Sequence, residues 1–135
     1  MDIREEKRGD VIIIGLRGRL DANTSPNVEE RLLHLLDHGE RRFLLDFSDL
    51  VYISSVGLRV LVLLAKNLQK SKGELALAAL NEHINQIFTI SGFTAIFPIY
   101  PTSDEALTHL QIDRRFGAKT PSPADSSVPG GSVQS

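Results

Sequence analysis

LDFSDLVYISSVGLRVLVLL, Leu45 to Leu64, passes from an apolar, strand-like segment through two adjacent serines into a segment with almost no polar side chain. RFLLDF, Arg42 to Phe47, is near-continuously apolar, as a strand covered on both faces is. After a loop, Gly57 to about Ser71 reads as a helix that ends at Lys70-Ser71-Lys72-Gly73. The serines between them admit two readings. Ser is a leading N-cap residue, so Ser54 or Ser55 caps the helix opening at Gly57. Alternatively, one hydroxyl is the working part of the protein.

Upstream, Ile3 to Lys7 forms a short strand that turns at Arg8-Gly9-Asp10 into VIIIGLRGRL, Val11 to Leu20. There Ile12, Ile14, Leu16, Gly18 and Leu20 share one face and Arg17 and Arg19 the other, the period-two pattern of a strand. The Arg8-Gly9-Asp10 triplet reads as a plain turn, because Gly supplies the positive φ a turn needs. A helix follows, with Ser25 expected as N-cap, Pro26 at the first helical position and Glu29 and Glu30 in the first turn. Val28, Leu32, Leu35 and Leu36 form its buried stripe.

Downstream, ELALAAL (Glu74 to Leu80) is a strand by position. Asn81 caps a third helix that turns Ile84, Ile87 and Phe88 inward, and AIFPIY (Ala95 to Tyr100) is a short strand that Pro98 places at an edge or bulge. Ser103 is expected to cap a last helix carrying Ala106, Leu107 and Leu110. From Gly117 onward the chain is rich in Pro, Gly and Ser with almost no large apolar residue, the composition of a disordered tail. The expected organisation is one domain over residues 1–116 and a tail over 117–135. The element order gives an α/β fold, a mixed sheet of about five strands with about four helices packed on it.

The 135 residues suffice for one core without staples. A net charge of -2, with Arg and Lys scattered among acids, offers no basic field for nucleic acid or an anionic membrane. The absence of Cys removes thiol nucleophiles, thiolate metal sites and disulfides. The start MDIREEKRGD has no apolar signal core and the longest apolar run, Val60 to Ala65, is far short of a membrane span, so the expected location is the cytoplasm.

Enzymatic signatures are missing. Ser54 and Ser55 lack the frame of a hydrolase nucleophile elbow, and Gly15, Gly18 and Gly57 match neither a P-loop nor a dinucleotide fingerprint. His34 and His38 stand one helical turn apart but off the buried stripe with no third ligand, so they read as a solvated face. No catalytic residue, metal, cofactor or small-molecule substrate is expected.

Two features favour a working serine. Gly57, a poor helix former, sits beside the serines and leaves the backbone open to close approach. The helix itself is apolar nearly all round, through Leu58, Leu61, Ala65 and Leu68 and then Val60, Leu63 and Leu64, so neighbours or a partner must cover it. A phosphate here would be tolerated by the fold, since a helix N-terminus favours an anion. At the rim of an interface the same charge would repel or demand desolvation.

Leu45 to Leu64 resembles the signature of STAS domains, in particular bacterial anti-sigma factor antagonists. The family's hydrophobic-Asp pair falls on Leu45-Asp46. Its aromatic, aliphatic, Asp, Ser, small, Gly, Leu run falls on Tyr52, Ile53, Ser54, Ser55, Val56, Gly57 and Leu58. GRLDANTSPNVEERL, Gly18 to Leu32, is similar to the family's Gly-x-Leu-Asp turn, and the matching element order covers about residues 1 to 112.

The resemblance implies a partner-switching regulator of transcription in bacterial signalling or stress response. Its partner would be an anti-sigma factor that is also a serine kinase of the histidine-kinase ATPase type, released when the kinase phosphorylates Ser55. A PP2C-like phosphatase would reset it. Asp21 would lie near Ser55 at the same end of the sheet, with Thr24 close by, and the partner surface would comprise Asp21, Thr24, Ser54, Val56, Gly57, Leu58, Arg59 and Val62. Where the family's familiar form has Asp before the phosphorylated serine, this chain has Ser54, a second possible acceptor. Arg59 stands where a small residue is common and adds a cation near a phosphate on Ser55. The alternative is a STAS interaction or scaffold module of a signalling, secretion or transport complex that binds whether or not Ser55 is charged.

Overall fold

The computed structural model describes residues 1–115; the stretch read as a tail and the boundary at residue 116 lie outside these. The order is β1 (Asp2–Arg8), β2 (Val11–Leu20), α1 (Ser25–Asp37), β3 (Arg42–Ile53), α2 (Ser55–Lys70), β4 (Glu74–Ala78), α3 (Glu82–Ile90), a 3-10 turn (Phe93–Ala95), β5 (Ile99–Tyr100) and α4 (Ser103–Arg115). The strands form one five-stranded sheet in the order β1-β2-β3-β4-β5. β1 pairs antiparallel with β2 through the Gly9-Asp10 turn, where Gly9 has φ +62, and every other pair is parallel. The sheet is therefore mixed, with four helices, as expected.

Parallel strands need helical crossovers, and these three helices cover one face of the sheet while the C-terminal α4 covers the other. On one face Ile12, Ile14, Leu16, Phe43, Leu45, Phe47 and Leu77 pack against α1, α2 and α3. Phe88 of α3 meets Phe47 and Phe97 edge-on, with centroids 6.5 and 5.8 Å apart. On the other face Val11, Leu44, Ala76 and Ala78 receive Ala106, Leu107 and Leu110 of α4. The alanines of β4, weak strand formers by propensity, give α4 room to sit close. No helix among the described residues is long and apolar enough to cross a membrane.

Several boundaries differ from the sequence reading. β3 does not end at Phe47 but continues to Ile53, because β2 stays beside it: Arg17 pairs with Asp49, Gly18 with Leu50 and Leu20 with Ile53. Irregularities on both sides of Gly18, whose φ of +113 suits only Gly, keep the ladder in step. α2 begins at Ser55, two residues before Gly57. Ser25 is not the cap of α1. Thr24 precedes the helix, Ser25 opens it, and Glu29 and Glu30 consequently fall beyond the first turn. Thr102, not Ser103, caps α4, its Oγ1 accepting from the Glu105 N–H at 3.1 Å. β5 shrinks to Ile99–Tyr100, since Ala95 closes a 3-10 turn and Phe97 is drawn into the aromatic cluster. Asn81 caps α3 as expected, its Oδ1 accepting from the Ile84 N–H at 2.8 Å.

Candidate functional site

β2 and β3 end side by side, and the Ser54 N–H extends their ladder by donating to the Leu20 carbonyl at 2.9 Å. From that bond the two chains diverge, one into the Asp21 turn and the other into α2. The sequence segments expected to cooperate are thus joined at one end of the sheet.

The turn is held by its own side chains. Asp21 Oδ1 accepts from the Asn23 and Thr24 N–H groups at 3.0 and 3.2 Å. Thr24 Oγ1 donates to the Arg19 carbonyl at 2.7 Å and accepts from the Asp21 N–H at 2.9 Å. Burial pushes the Asp21 carboxyl up, but these donors and the Arg19 charge outweigh it and hold it below the ordinary aspartate range. Arg19 Nε lies 3.8 Å from Asp21 Oδ2, and its guanidinium lies 4.2 Å above the centre of the Tyr52 ring. Arg19 and Tyr52 were not singled out from the sequence as site residues. Only their pairing across the β2–β3 ladder places them together.

The two serines differ sharply. Ser54 has extended backbone (φ -98, ψ 175), is half-buried, and its Oγ accepts from the Gly57 N–H at 3.2 Å, which makes it the N-cap of α2. Ser55 is the first helical residue and exposed, and its hydroxyl bonds to none of the described residues. Arg59, four residues on and also exposed, makes no ion pair among the described residues. The spacing puts both side chains on one line of the helix surface.

Gly57 does not stand where it was expected. It is buried, and a Cβ there would come within 2.8 Å of Leu20 Cγ and 2.9 Å of the Leu20 carbonyl oxygen. What approaches its bare backbone is the end of β2, so its service to the site is to seat α2 on the sheet. Val56, Leu58 and Val62 are half-buried, and Leu58 and Val62 rest against the core. The surface at this end therefore consists of the Asp21–Thr24 turn, Ser55, Arg59 and the outer edges of Val56 and Val62. His34 and His38 lie away from it at the end of α1, their rings tilted with centroids 4.1 Å apart, and no cluster of three or more potential metal ligands exists among the described residues.

Comparison with known proteins agrees with the geometry. The profile of the STAS domain matches residues 2–106. BtrV of Bordetella bronchiseptica, assigned as an anti-sigma factor antagonist, is 40% identical over 106 residues, covering 78% of this chain and 91% of its own. The anti-sigma F factor antagonist of Paenibacillus polymyxa is 28% identical over 113 residues, 83% of this chain and 97% of its own. The crystal structure of a Thermotoga maritima protein assigned the same general role superimposes with a TM-score of 0.78 at 24% identity, over 81% of this chain and 94% of that one. The chain belongs to the STAS-domain family of anti-sigma factor antagonists.

Proposed function

We propose that this chain is an anti-sigma factor antagonist, a regulatory binding protein whose switch is the Ser55 hydroxyl. Unmodified, it binds an anti-sigma factor that is also a serine kinase of the histidine-kinase ATPase type. The binding surface is the exposed part of α2's first turns together with the Asp21–Thr24 turn. Phosphorylation of Ser55 releases the partner, and a PP2C-like phosphatase restores the unmodified form.

The observation that carries this reading is the division of labour between the serines. Ser54 Oγ is engaged by the Gly57 N–H, whereas Ser55 Oγ is exposed and unengaged beside it. A kinase reaches Ser55 without unwinding the helix. The added phosphate meets the positive end of the helix dipole, and no acidic residue occupies the first turn to oppose it. The domain then stays folded while roughly two negative charges enter the partner surface. Ser54, in the position where the family's familiar form carries Asp, keeps the capping role without the charge.

The test is a pull-down from the host's lysate with Ser55→Ala and Ser55→Glu baits. Recovery of a histidine-kinase-type ATPase on the first bait and its loss from the second is expected. Equal recovery on both would transfer the function to a STAS module without a switch.

A further inference from the structure

α1 and α2 follow neighbouring parallel strands and pack on the same face of the sheet, so they run side by side in one direction. Their outer surfaces carry opposite charge. Every charged residue of α2 is basic: Arg59, Lys66 and Lys70. α1 carries Glu29, Glu30 and Asp37, while its single Arg31 turns away to bond Glu5 of β1. None of these six residues forms an ion pair with another described residue.

Helical spacing arranges them in two lines of matching design, Glu29-Leu33-Asp37 on α1 and Arg59-Leu63-Lys66 on α2. In each, one leucine is flanked by like charges. Leu33 and Leu63 are 38% and 36% exposed, among the few large apolar side chains open to solvent. A groove between the helices is lined by Glu29, Leu32, Leu33, Val60, Leu63 and Leu64, which sets the two lines at the same height. Counting from the first residues, Ser25 and Ser55, Glu29 and Arg59 are both fifth, Leu33 and Leu63 both ninth, and Asp37 and Lys66 thirteenth and twelfth.

We infer that a second copy of this chain covers this face. A two-fold axis lying along the helices lays α1 of one copy over α2 of the other in the same direction. Glu29 then faces Arg59 of the second copy, Leu33 faces Leu63, and Asp37 faces Lys66, each pair occurring twice. A two-fold across the helices would set acid on acid and base on base, so the charges select the first arrangement. Two part-exposed leucines per copy give a weak, salt-sensitive dimer. The inference does not rest on phosphorylation of Ser55.

Two variants of the full chain test it by sedimentation equilibrium at low salt. One is basic on both helices (Glu29→Lys with Asp37→Lys), the other acidic on both (Arg59→Glu with Lys66→Glu). The wild type is expected to dimerise with rising concentration and to dissociate on adding salt. Each variant alone should associate about ten-fold more weakly or not at all, and an equimolar mixture should recover the dimer. A wild type that stays monomeric at every concentration overturns the inference, as does a mixture no tighter than its components. A monomeric wild type whose Glu29→Lys, Asp37→Lys variant, altered outside the surface assigned to the anti-sigma factor, loses that partner would assign the face to it instead. Circular dichroism verifies folding; should a reversal unfold the chain, Leu33→Ser with Leu63→Ser gives the same reading through loss of self-association.

Discussion

Replacing Ser54 by Ala removes the acceptor of the Gly57 N–H and is expected to cost about 1 kcal/mol, the usual worth of a helix N-cap. The same change at Ser55, whose hydroxyl bonds to no described residue, should leave the thermal midpoint nearly unchanged. Comparing the two melting curves separates cap from acceptor without any partner present. Gly57→Ala should behave differently from both. Its methyl would press on Leu20, including the backbone carbonyl, so a loss of about 1–3 kcal/mol is expected by urea titration despite the better helix propensity of Ala. The sequence singled out Ser54, Ser55 and Gly57 as candidates but left open which serine caps the helix. That choice depends on the Leu20–Ser54 bond, which starts α2 at Ser55 and brings Gly57 within reach of Ser54 Oγ. A contact between strands remote in sequence leaves no local pattern.

Elements with a clean period were legible, and those whose limits are set by neighbours were not. β2 alternates from Leu16 to Leu20, with Arg17 and Arg19 exposed between buried leucines, and its β-branched first half is apolar on both faces. The second half of β3 shows neither pattern, because Ser48 and Asp49 interrupt the apolar run and only pairing with β2 keeps the backbone extended. β5 misled in the opposite sense: AIFPIY is apolar enough for a longer strand, but Phe97 is used by the aromatic cluster. The start of α1 offers a quantitative check. A capping Ser25 would cost about 1 kcal/mol when changed to Ala. In the structure Ser25 lies inside the first turn, 1% exposed, with its Oγ buried and unpaired. Ser25→Ala is therefore expected to be neutral or to stabilise by up to about 1 kcal/mol, measured by urea unfolding, since it removes an unsatisfied buried hydroxyl.

At the scale of the molecule, the sheet has one long edge, β1, and six of the seven residues of its sequence DIREEKR are charged along an exposed strand. Charge on an edge opposes pairing with another chain's strand. It also ties the edge to the helical layer: Arg31 of α1 donates to both carboxylate oxygens of Glu5, and Lys7 Nζ lies 2.7 Å from Glu40. The hydrogen bond from Arg31 holds the Glu5 carboxyl below the ordinary glutamate range against an opposing effect of burial. A folded pKa below the unfolded one gives stability that is present above the unfolded value and lost as pH falls through the folded one. Wild type and Glu5→Gln should therefore differ by a constant amount near neutrality, at most about 1 kcal/mol as exposed ion pairs give. The gap should close only in acid below the ordinary glutamate range, and shrink with salt, as followed by thermal melts across pH.

The fold holds the Asp21 turn and the first turns of α2 at one end of the sheet by the β2–β3 ladder and the Ser54–Leu20 backbone bond that extends it, and leaves the Ser55 side chain exposed there. The most direct measurement is a calorimetric titration of the purified anti-sigma factor into the domain, unmodified and phosphorylated on Ser55. Tight binding to the unmodified form and binding weaker by about 100-fold or more to the phosphorylated form is the predicted result. Equal affinity for the two forms would contradict it.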